Sequence, residues 1–451
     1  MAHSVLLVFE SPRRKQLFIN TLPPLGILGI ASFLRARGIP VRVRDCCIDT
    51  LTDDDISAAD IVGLSVNISN VERSLEAARR VKRAFPGKTV IAGGPLCASI
   101  PARMAREECL DAVAAGEGEE IMAEAAEGKP LGEIMGLYLR DGPGRVSHTG
   151  ARAWIADLDR LPFPALDMVD LPRYYSPVKK ARPISNLISS RGCPYGCIYC
   201  FKTMGNRWRA RSPKNVVDEI EWQVGELGVR EICIYDDNFT MDPRRAEEIC
   251  DGIVDRGIRV RLQLTNGIRA DRITRETVRK LKRAGAWIVG VAPESGSAET
   301  LKRIGKGFAL PQVDQAVRWC REEGIRTWSF FMVGFPWETE GDVEETIRYA
   351  AALSTDLTQF SRVTAFPGTE LYAILCGKEE GGDPSLADHG LFYGGVSHET
   401  PGLGEEALAR LVKRAYRAVY LRPGKMLRLL TMLSPLDLWQ LFYYSVTTGS
   451  V

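Results

Sequence analysis

Arg191-Gly192-Cys193-Pro194-Tyr195-Gly196-Cys197-Ile198-Tyr199-Cys200-Phe201 sets three cysteines at C-x3-C-x2-C spacing on one loop, directly after the strand-like run Asn186-Leu187-Ile188-Ser189-Ser190. Three thiolates within eight residues can hold one iron–sulfur cluster. A cubane cluster takes four thiolates when fully ligated, and no fourth cysteine stands near, so one iron is left for an outside ligand. Gly192 and Gly196 let the loop turn tightly, and Pro194 stiffens it. Spacing alone leaves two alternatives open. Zinc sites pair two C-x2-C halves or add histidine, and the nearest histidine is His148, beyond a proline-rich linker. Plain burial is the other, although buried cysteines need no such spacing.

Downstream, Ser212-Pro213 opens a helix, and strand-like runs recur. Residues 231–235 end in Asp236-Asp237-Asn238-Phe239, and residues 260–264 end in Thr265-Asn266-Gly267. Residues 287–291 lead to Pro293-Glu294-Ser295-Gly296-Ser297, residues 327–332 to Gly334-Phe335-Pro336-Trp337-Glu338-Thr339, and residues 359–363 to Pro367-Gly368-Thr369-Glu370. This run of β/α units predicts a partial (β/α)6 barrel over residues 185–385, with the strand ends and the cluster loop on one rim. Carboxylates and amides there suit an amine, a ribose or a polar substrate. Taken alone, Asp236 or Asp237 reads as a helix cap.

Upstream, strand-like runs at 5–9, 41–45, 60–66, 89–92 and 112–114 alternate with helical patterns near 25–37 and 71–85. That alternation predicts a doubly wound parallel α/β sheet over residues 1–150. Gly93-Gly94-Pro95 and Gly116-Glu117-Gly118-Glu119 fall at strand ends, where such sheets bind ligands. Gly93 and Gly94 would let a large flat ligand approach the backbone, whereas Gly63 or Gly116 alone reads as a plain turn. Residues 151–184 are punctuated by proline and predict an extended strap. Residues 386–451 form a C-terminal helical segment, with an amphipathic helix at 405–420 expected to act as a lid over the open barrel side. His389 and His398 read as surface or structural histidines.

The formal net charge is only +2, so no global field attracts nucleic acid. Eleven cysteines show no disulfide framework and fit a reducing cytoplasm. Met1-Ala2-His3-Ser4 before a short strand is no signal peptide. The apolar tail 426–446 is broken by Arg428, Pro435 and Asp437, and reads as a packing element rather than a membrane foot.

Taken in order, these motifs resemble the radical S-adenosylmethionine (SAM) enzymes, and among them the cobalamin (B12)-dependent radical SAM superfamily. The cluster motif is the specific signal; the others are weak singly and agree in order. Asp236-Asp237-Asn238-Phe239 resembles a DD-x-F strand end, Glu294-Ser295-Gly296-Ser297 the element near the SAM ribose, and Pro367-Gly368-Thr369 the turn near the adenine. Gly334-Phe335-Pro336-Trp337-Glu338-Thr339 is similar to GFPGET, with Trp337 in place of the second glycine. The resemblance implies a 4Fe-4S cluster on Cys193, Cys197 and Cys200, and SAM at Tyr199, Asp236, Asp237, Asn266, Glu294, Ser295 and Pro367. In the N-terminal half, Pro23-Pro24-Leu25-Gly26, Ser65-Val66-Asn67, Gly93-Gly94-Pro95 and Gly116-Glu117-Gly118-Glu119 resemble the Rossmann-like cobalamin-binding half. Cobalamin is thereby implied at Pro24, Leu25, Gly63, Ser65, Asn67, Gly93, Gly94, Pro95, Gly116 and Glu117. There is no D-x-H-x-x-G, and Leu96 stands where many relatives carry histidine, so no protein imidazole would ligate cobalt.

The implied chemistry is reductive cleavage of SAM to a radical that takes hydrogen from an unactivated carbon, with cobalamin delivering a methyl group. The cofactors carry that chemistry and the protein positions them. The implied partners are a small-molecule substrate and an external one-electron reductant of the flavodoxin or ferredoxin type, with no nucleic acid. The sequence names neither the substrate nor a catalytic side chain. A radical SAM cyclase or rearrangement enzyme, and a non-catalytic iron–sulfur redox protein, are the alternatives.

Overall fold

The computed structural model describes residues 2–12, 21–142, 144–376, 403–422 and 424–425. Its first sheet is built from short apolar runs that can be buried on both faces. Strands β1 (Val5–Phe9), β2 (Val41–Asp45), β3 (Ile61–Ser65), β4 (Thr89–Gly93) and β5 (Ala112–Ala114) pair in parallel, in the order 2-1-3-4-5. Alternation sorts their side chains. Val5 and Leu7 pack under the helices Leu25–Ala36 and Gly118–Ala126, while Leu6 and Val8 pack under the helix Val71–Ala84. All five predicted strands are present. Two further strands, β6 (Leu137–Arg140) and β7 (Val146–His148), extend the sheet antiparallel beyond β5. They escaped the sequence reading because they are short and only Leu137 among them is fully buried. The order reverses between β2-β1 and β3-β4, and the crevice at the carboxyl ends there is where such sheets take ligands.

The second sheet begins with β8 (Ile184–Leu187). A small antiparallel ribbon, β9 (Ser190–Arg191) and β10 (Arg209–Ala210), then brackets the cluster loop. Strands β11 (Glu231–Ile234), β12 (Arg261–Ile268), β13 (Ala286–Glu294), β14 (Arg326–Val333) and β15 (Leu357–Arg362) follow. With β8 they form six parallel strands in chain order, an open half-barrel as predicted. Glu231 closes its lower end. This fully buried carboxylate accepts from Lys180 N (2.6 Å), Ala181 N (2.5 Å), Trp287 Nε1 (2.8 Å) and Gln263 Nε2.

The linker is not an extended strap. It folds into three short 3-10 turns, Leu158–Arg160, Leu166–Met168 and Leu171–Arg173. Each turn buries a leucine, and Leu166, Leu171 and Tyr174 join Leu28 of the first domain and the barrel helices in one continuous core. The Tyr174 hydroxyl donates to Asp45 Oδ2 at 2.7 Å.

The helix Glu405–Tyr420 packs on the helix Glu340–Ala352 and on β15. Its Tyr420 hydroxyl accepts from Thr358 N (2.8 Å) and donates to Thr358 O (2.7 Å), and Tyr416 does the same at Phe360 (3.2 Å each). Two phenols thus satisfy the backbone of an edge strand. The predicted helix is present and covers this edge, while most of the segment expected to act as a lid lies outside the described residues. Residues 377–402 and 426–451, including His389, His398 and the apolar tail, lie outside the described residues. Among the described residues no helix is long and apolar enough to cross a membrane.

Candidate functional site

The cluster loop is stapled at both ends and in the middle. Gly192 has φ 85°, and a Cβ there would lie 2.4 Å from Arg207 O, so only glycine lets the outgoing and returning strands meet. Ile198 N donates to Ile304 O (3.1 Å), Leu371 N donates to Ile198 O (2.9 Å), and the Cys197 thiol reaches Gly305 O at 3.7 Å. Arg269 lies 3.5 Å over the Tyr195 ring, and Arg272 Nε donates to the Tyr195 hydroxyl (3.0 Å).

The Cys200 thiol is pushed up to about 11 by burial and then by the neighbouring Cys197 and Cys193. Burial likewise raises Cys193. Among the described residues no three His, Cys, Asp or Glu side chains converge on a single metal ion.

Beside the loop, Glu294 ends β13 at φ 69°, the left-handed region that side chains with a Cβ avoid. Two donors fix it there. Tyr199 Oη donates to Glu294 Oε1 (2.9 Å), and the buried Lys306 Nζ donates to the same oxygen (2.8 Å) while lying 3.2 Å from Tyr199 Oη. The sequence reading singled out Tyr199 and Glu294 and missed Lys306, whose only sequence signal was a lone cation between Gly305 and Gly307.

Inside the half-barrel is a cavity of about 460 Å³. Asp237, Asn266, Thr265 and Ser190 supply its polar wall, and Tyr235, Ile188, Trp328 and Phe330 its apolar wall. Trp328 and Phe330 alternate on β14 and stack at 5.2 Å, a period-two signal that could have marked them as inward-facing. Burial, then the neighbouring Asp236, pushes the Asp237 carboxyl up.

Of the SAM set, Asp237 and Asn266 line this cavity, whereas Tyr199, Asp236, Glu294, Ser295 and Pro367 do not. Asp236 is buried and accepts from Ser189 N, Ser189 Oγ and Ser190 Oγ, each at 2.6 Å, so it clasps the end of β8 to β11 instead. Ser295 is buried with its hydroxyl 3.0 Å from Thr346 Oγ1, anchoring the helix Glu340–Ala352. Pro367 O accepts from Ser99 Oγ of the first domain, which places the Pro367-Gly368-Thr369 turn at the domain boundary.

A second cavity, of about 590 Å³, lies between the two rims. Ala98, Ser99, Ala115 and Gly116 line it from the N-terminal sheet, and Cys197, Cys200, Phe201 and Gly368 from the other side. Gly116 faces it with no atom within 4 Å of where a Cβ would stand. A Cβ on Gly94 would meet Val66 O at 2.9 Å, so the turn after β4 folds tightly back on the end of β3, beside Ser65. Ser65, Gly93, Gly94 and Pro95 do not line this cavity, and Gly116 is the member of the cobalamin set that opens onto it.

Other N-terminal candidates serve the fold. Gly63 lies mid-strand and makes room for Leu7 and Met122, so it does not reach the rim. Asn67 Oδ1 accepts from Ser69 N, Ser69 Oγ and Asn70 N, forming its own turn. Pro24 and Pro95 start the helices Leu25–Ala36 and Pro95–Ser99, and Leu25 packs toward the shared core. Glu117 is buried and bound to arginines of the other domain: Arg191 Nη1 at 2.6 Å and Arg209 Nη1 at 2.9 Å.

Comparison with known proteins matches residues 187–350 to the Radical SAM superfamily and residues 18–126 to the B12 binding domain. An uncharacterized methyltransferase of Pyrococcus horikoshii is 30% identical over 437 residues, covering 92% of this chain and 91% of that protein. The anaerobic magnesium-protoporphyrin IX monomethyl ester cyclase of Rubrivivax gelatinosus is 28% identical, covering 79% of this chain and 67% of its own. Among solved structures, the radical SAM methyltransferase TsrM of Kitasatospora setae, with cobalamin and an iron–sulfur cluster bound, superposes with a TM-score of 0.70 at 20% identity, covering 97% of this chain and 90% of that one.

Proposed function

This chain belongs to the B12-dependent branch of the radical SAM superfamily and is methyltransferase-like, and from that premise we propose that it methylates an unactivated carbon of a small molecule held inside the half-barrel. Its cofactors are a 4Fe-4S cluster, SAM and cobalamin. When bound, the cluster and SAM supply a radical that removes hydrogen from carbon, and cobalamin supplies the methyl group.

One observation carries the reading. The cluster loop borders both cavities, and Thr203 lines each of them. A methyl donor on the N-terminal rim and a substrate in the barrel would therefore meet across the same loop. Cys193, Cys197 and Cys200 would hold the cluster. Tyr199, Asp237, Asn266 and Glu294 would orient SAM, with Lys306 holding the Glu294 side chain in place. Ser65, Gly93, Gly94 and Gly116 would lie against the cobalamin. The 460 Å³ barrel cavity suits a small molecule, and its Trp328–Phe330 wall suits an apolar face on that molecule. The free thiols at Cys46, Cys47, Cys97, Cys109, Cys233, Cys250 and Cys320 fit a reducing compartment and an external one-electron donor.

The test is product analysis after anaerobic reconstitution with methyl-labelled SAM. Label in the product supports methyl transfer. A relative named as a cyclase favours a second reading, ring closure, in which 5′-deoxyadenosine forms and the product carries no label. Protein that binds the cluster and loses all cobalamin on desalting sinks the methyl-transfer reading.

A further inference from the structure

Two acidic residues of the N-terminal sheet reach across to the arginines that bracket the cluster loop. Glu117 follows β5, and Glu119 stands in the first turn of the helix Gly118–Ala126. Arg191, on β9 two residues before Cys193, sends Nη1 to Glu117 Oε1 (2.6 Å) and Nη2 to Glu119 Oε1 (2.7 Å). Arg209, its cross-strand partner on β10, bonds both oxygens of Glu117 (2.9 and 3.0 Å) and Ile155 O (2.6 Å). Glu117 Oε2 also accepts from Ile155 N at 2.6 Å. The side chains of Glu117, Glu119 and Arg209 are only 5–6% exposed, and that of Arg191 is 17% exposed.

A surface staple between domains would not need this arrangement. Two carboxylates balance two guanidiniums with little water present, and the forked geometry fixes both strands of the ribbon at once. The acidic pair follows Gly116, which lines the inter-rim cavity, so whatever shifts that turn moves the base of the cluster loop. The Ser99–Pro367 contact ties the other side of the same cavity to the barrel rim.

Resting on the cofactor reading above, we infer that Glu117, Glu119, Arg191 and Arg209 are positioning residues that transmit the occupancy of the N-terminal cofactor site to the cluster. By linkage, the coupling runs both ways: the cluster in turn sets how tightly the N-terminal site holds cobalamin.

The experiment uses the full chain, reconstituted anaerobically with iron and sulfide, with hydroxocobalamin as the probe. The electron paramagnetic resonance spectrum of the reduced cluster is recorded with and without cobalamin. In the unaltered protein, cobalamin is expected to shift the cluster's g-values. Retention of both cofactors there, by metal content, stands as the separate check on the cofactor reading. In Glu117→Gln the shift is expected to vanish while iron and cobalt contents hold. Glu119→Gln leaves the Glu117 bridges in place and should show a reduced shift; it carries the test if Glu117→Gln does not accumulate folded. Glu119→Asp should restore part of the response. A role confined to stability would lower the unfolding temperature of these variants and leave the cobalamin-induced shift intact, and that result overturns the inference. So does an unaltered protein that retains both cofactors and shows no shift.

Discussion

Glu294 holds a backbone conformation that costs on the order of 1–3 kcal/mol for a residue with a side chain, and such strain persists only where neighbours over-determine it. Here Tyr199 and Lys306 do so, and they convert a strand end into a fixed carboxylate beside the cluster loop. Glu294→Gln leaves the buried Lys306 ammonium without its counter-charge. The unfolding free energy in denaturant is expected to fall by about 3 kcal/mol. Glu338 gives a pH signature of its own. Burial pushes its carboxyl up to about 7 against an ordinary 4.5, although Gly334 N and Phe335 N donate to it (2.8 and 3.0 Å). The fold therefore prefers the protonated acid. That contribution is complete below pH 4.5 and is lost as pH rises through about 7, roughly 3 kcal/mol in all. Stability of the unaltered protein relative to Glu338→Gln should drop across that window. A flat difference in denaturation midpoints would contradict it.

At the scale of elements, β15 is an edge strand whose exposed backbone is answered by phenols rather than by another strand. Tyr420→Phe keeps the ring and leaves the Thr358 amide and carbonyl without this partner, a cost of about 1–3 kcal/mol per unsatisfied group. The expected result is faster amide hydrogen exchange at Thr358, with the far side of the sheet at β8 unchanged. The helix Glu405–Tyr420 was legible in the sequence from its apolar spacing, but its purpose was not, because a tyrosine hydroxyl gives no sign of the strand it will serve. The same limit explains the site. Cys193, Cys197, Cys200 and Gly192 are legible because their partners are a few residues away. Glu117 looked like a ligand-binding turn because Arg191 is 74 residues downstream. Asp236 and Ser295 carried the right motif, yet local hydroxyl and amide partners engage them first.

Over the whole molecule, Leu28 of the first domain shares a core with Leu166, Leu171 and Tyr174 of the linker and with the barrel helices. The two sheets should therefore lose structure together. Denaturant unfolding followed by far-ultraviolet circular dichroism and by tryptophan fluorescence is expected to give coincident curves, and Leu166→Ala should shift both, by about 2–5 kcal/mol. Separated transitions would show that the linker joins two independent units. The five parallel strands of the first sheet and β11 to β15 of the barrel were readable from their apolar runs, and β8 was expected at 186–190 where it runs Ile184–Leu187, whereas the buried path of the linker was not readable, since proline spacing does not report what a leucine beside it will cover. The stopper at Glu231 has a last consequence. With four donors closed around one carboxylate, the floor of the half-barrel is filled by protein, and the cavity lies above it toward the strand ends that carry the cluster loop.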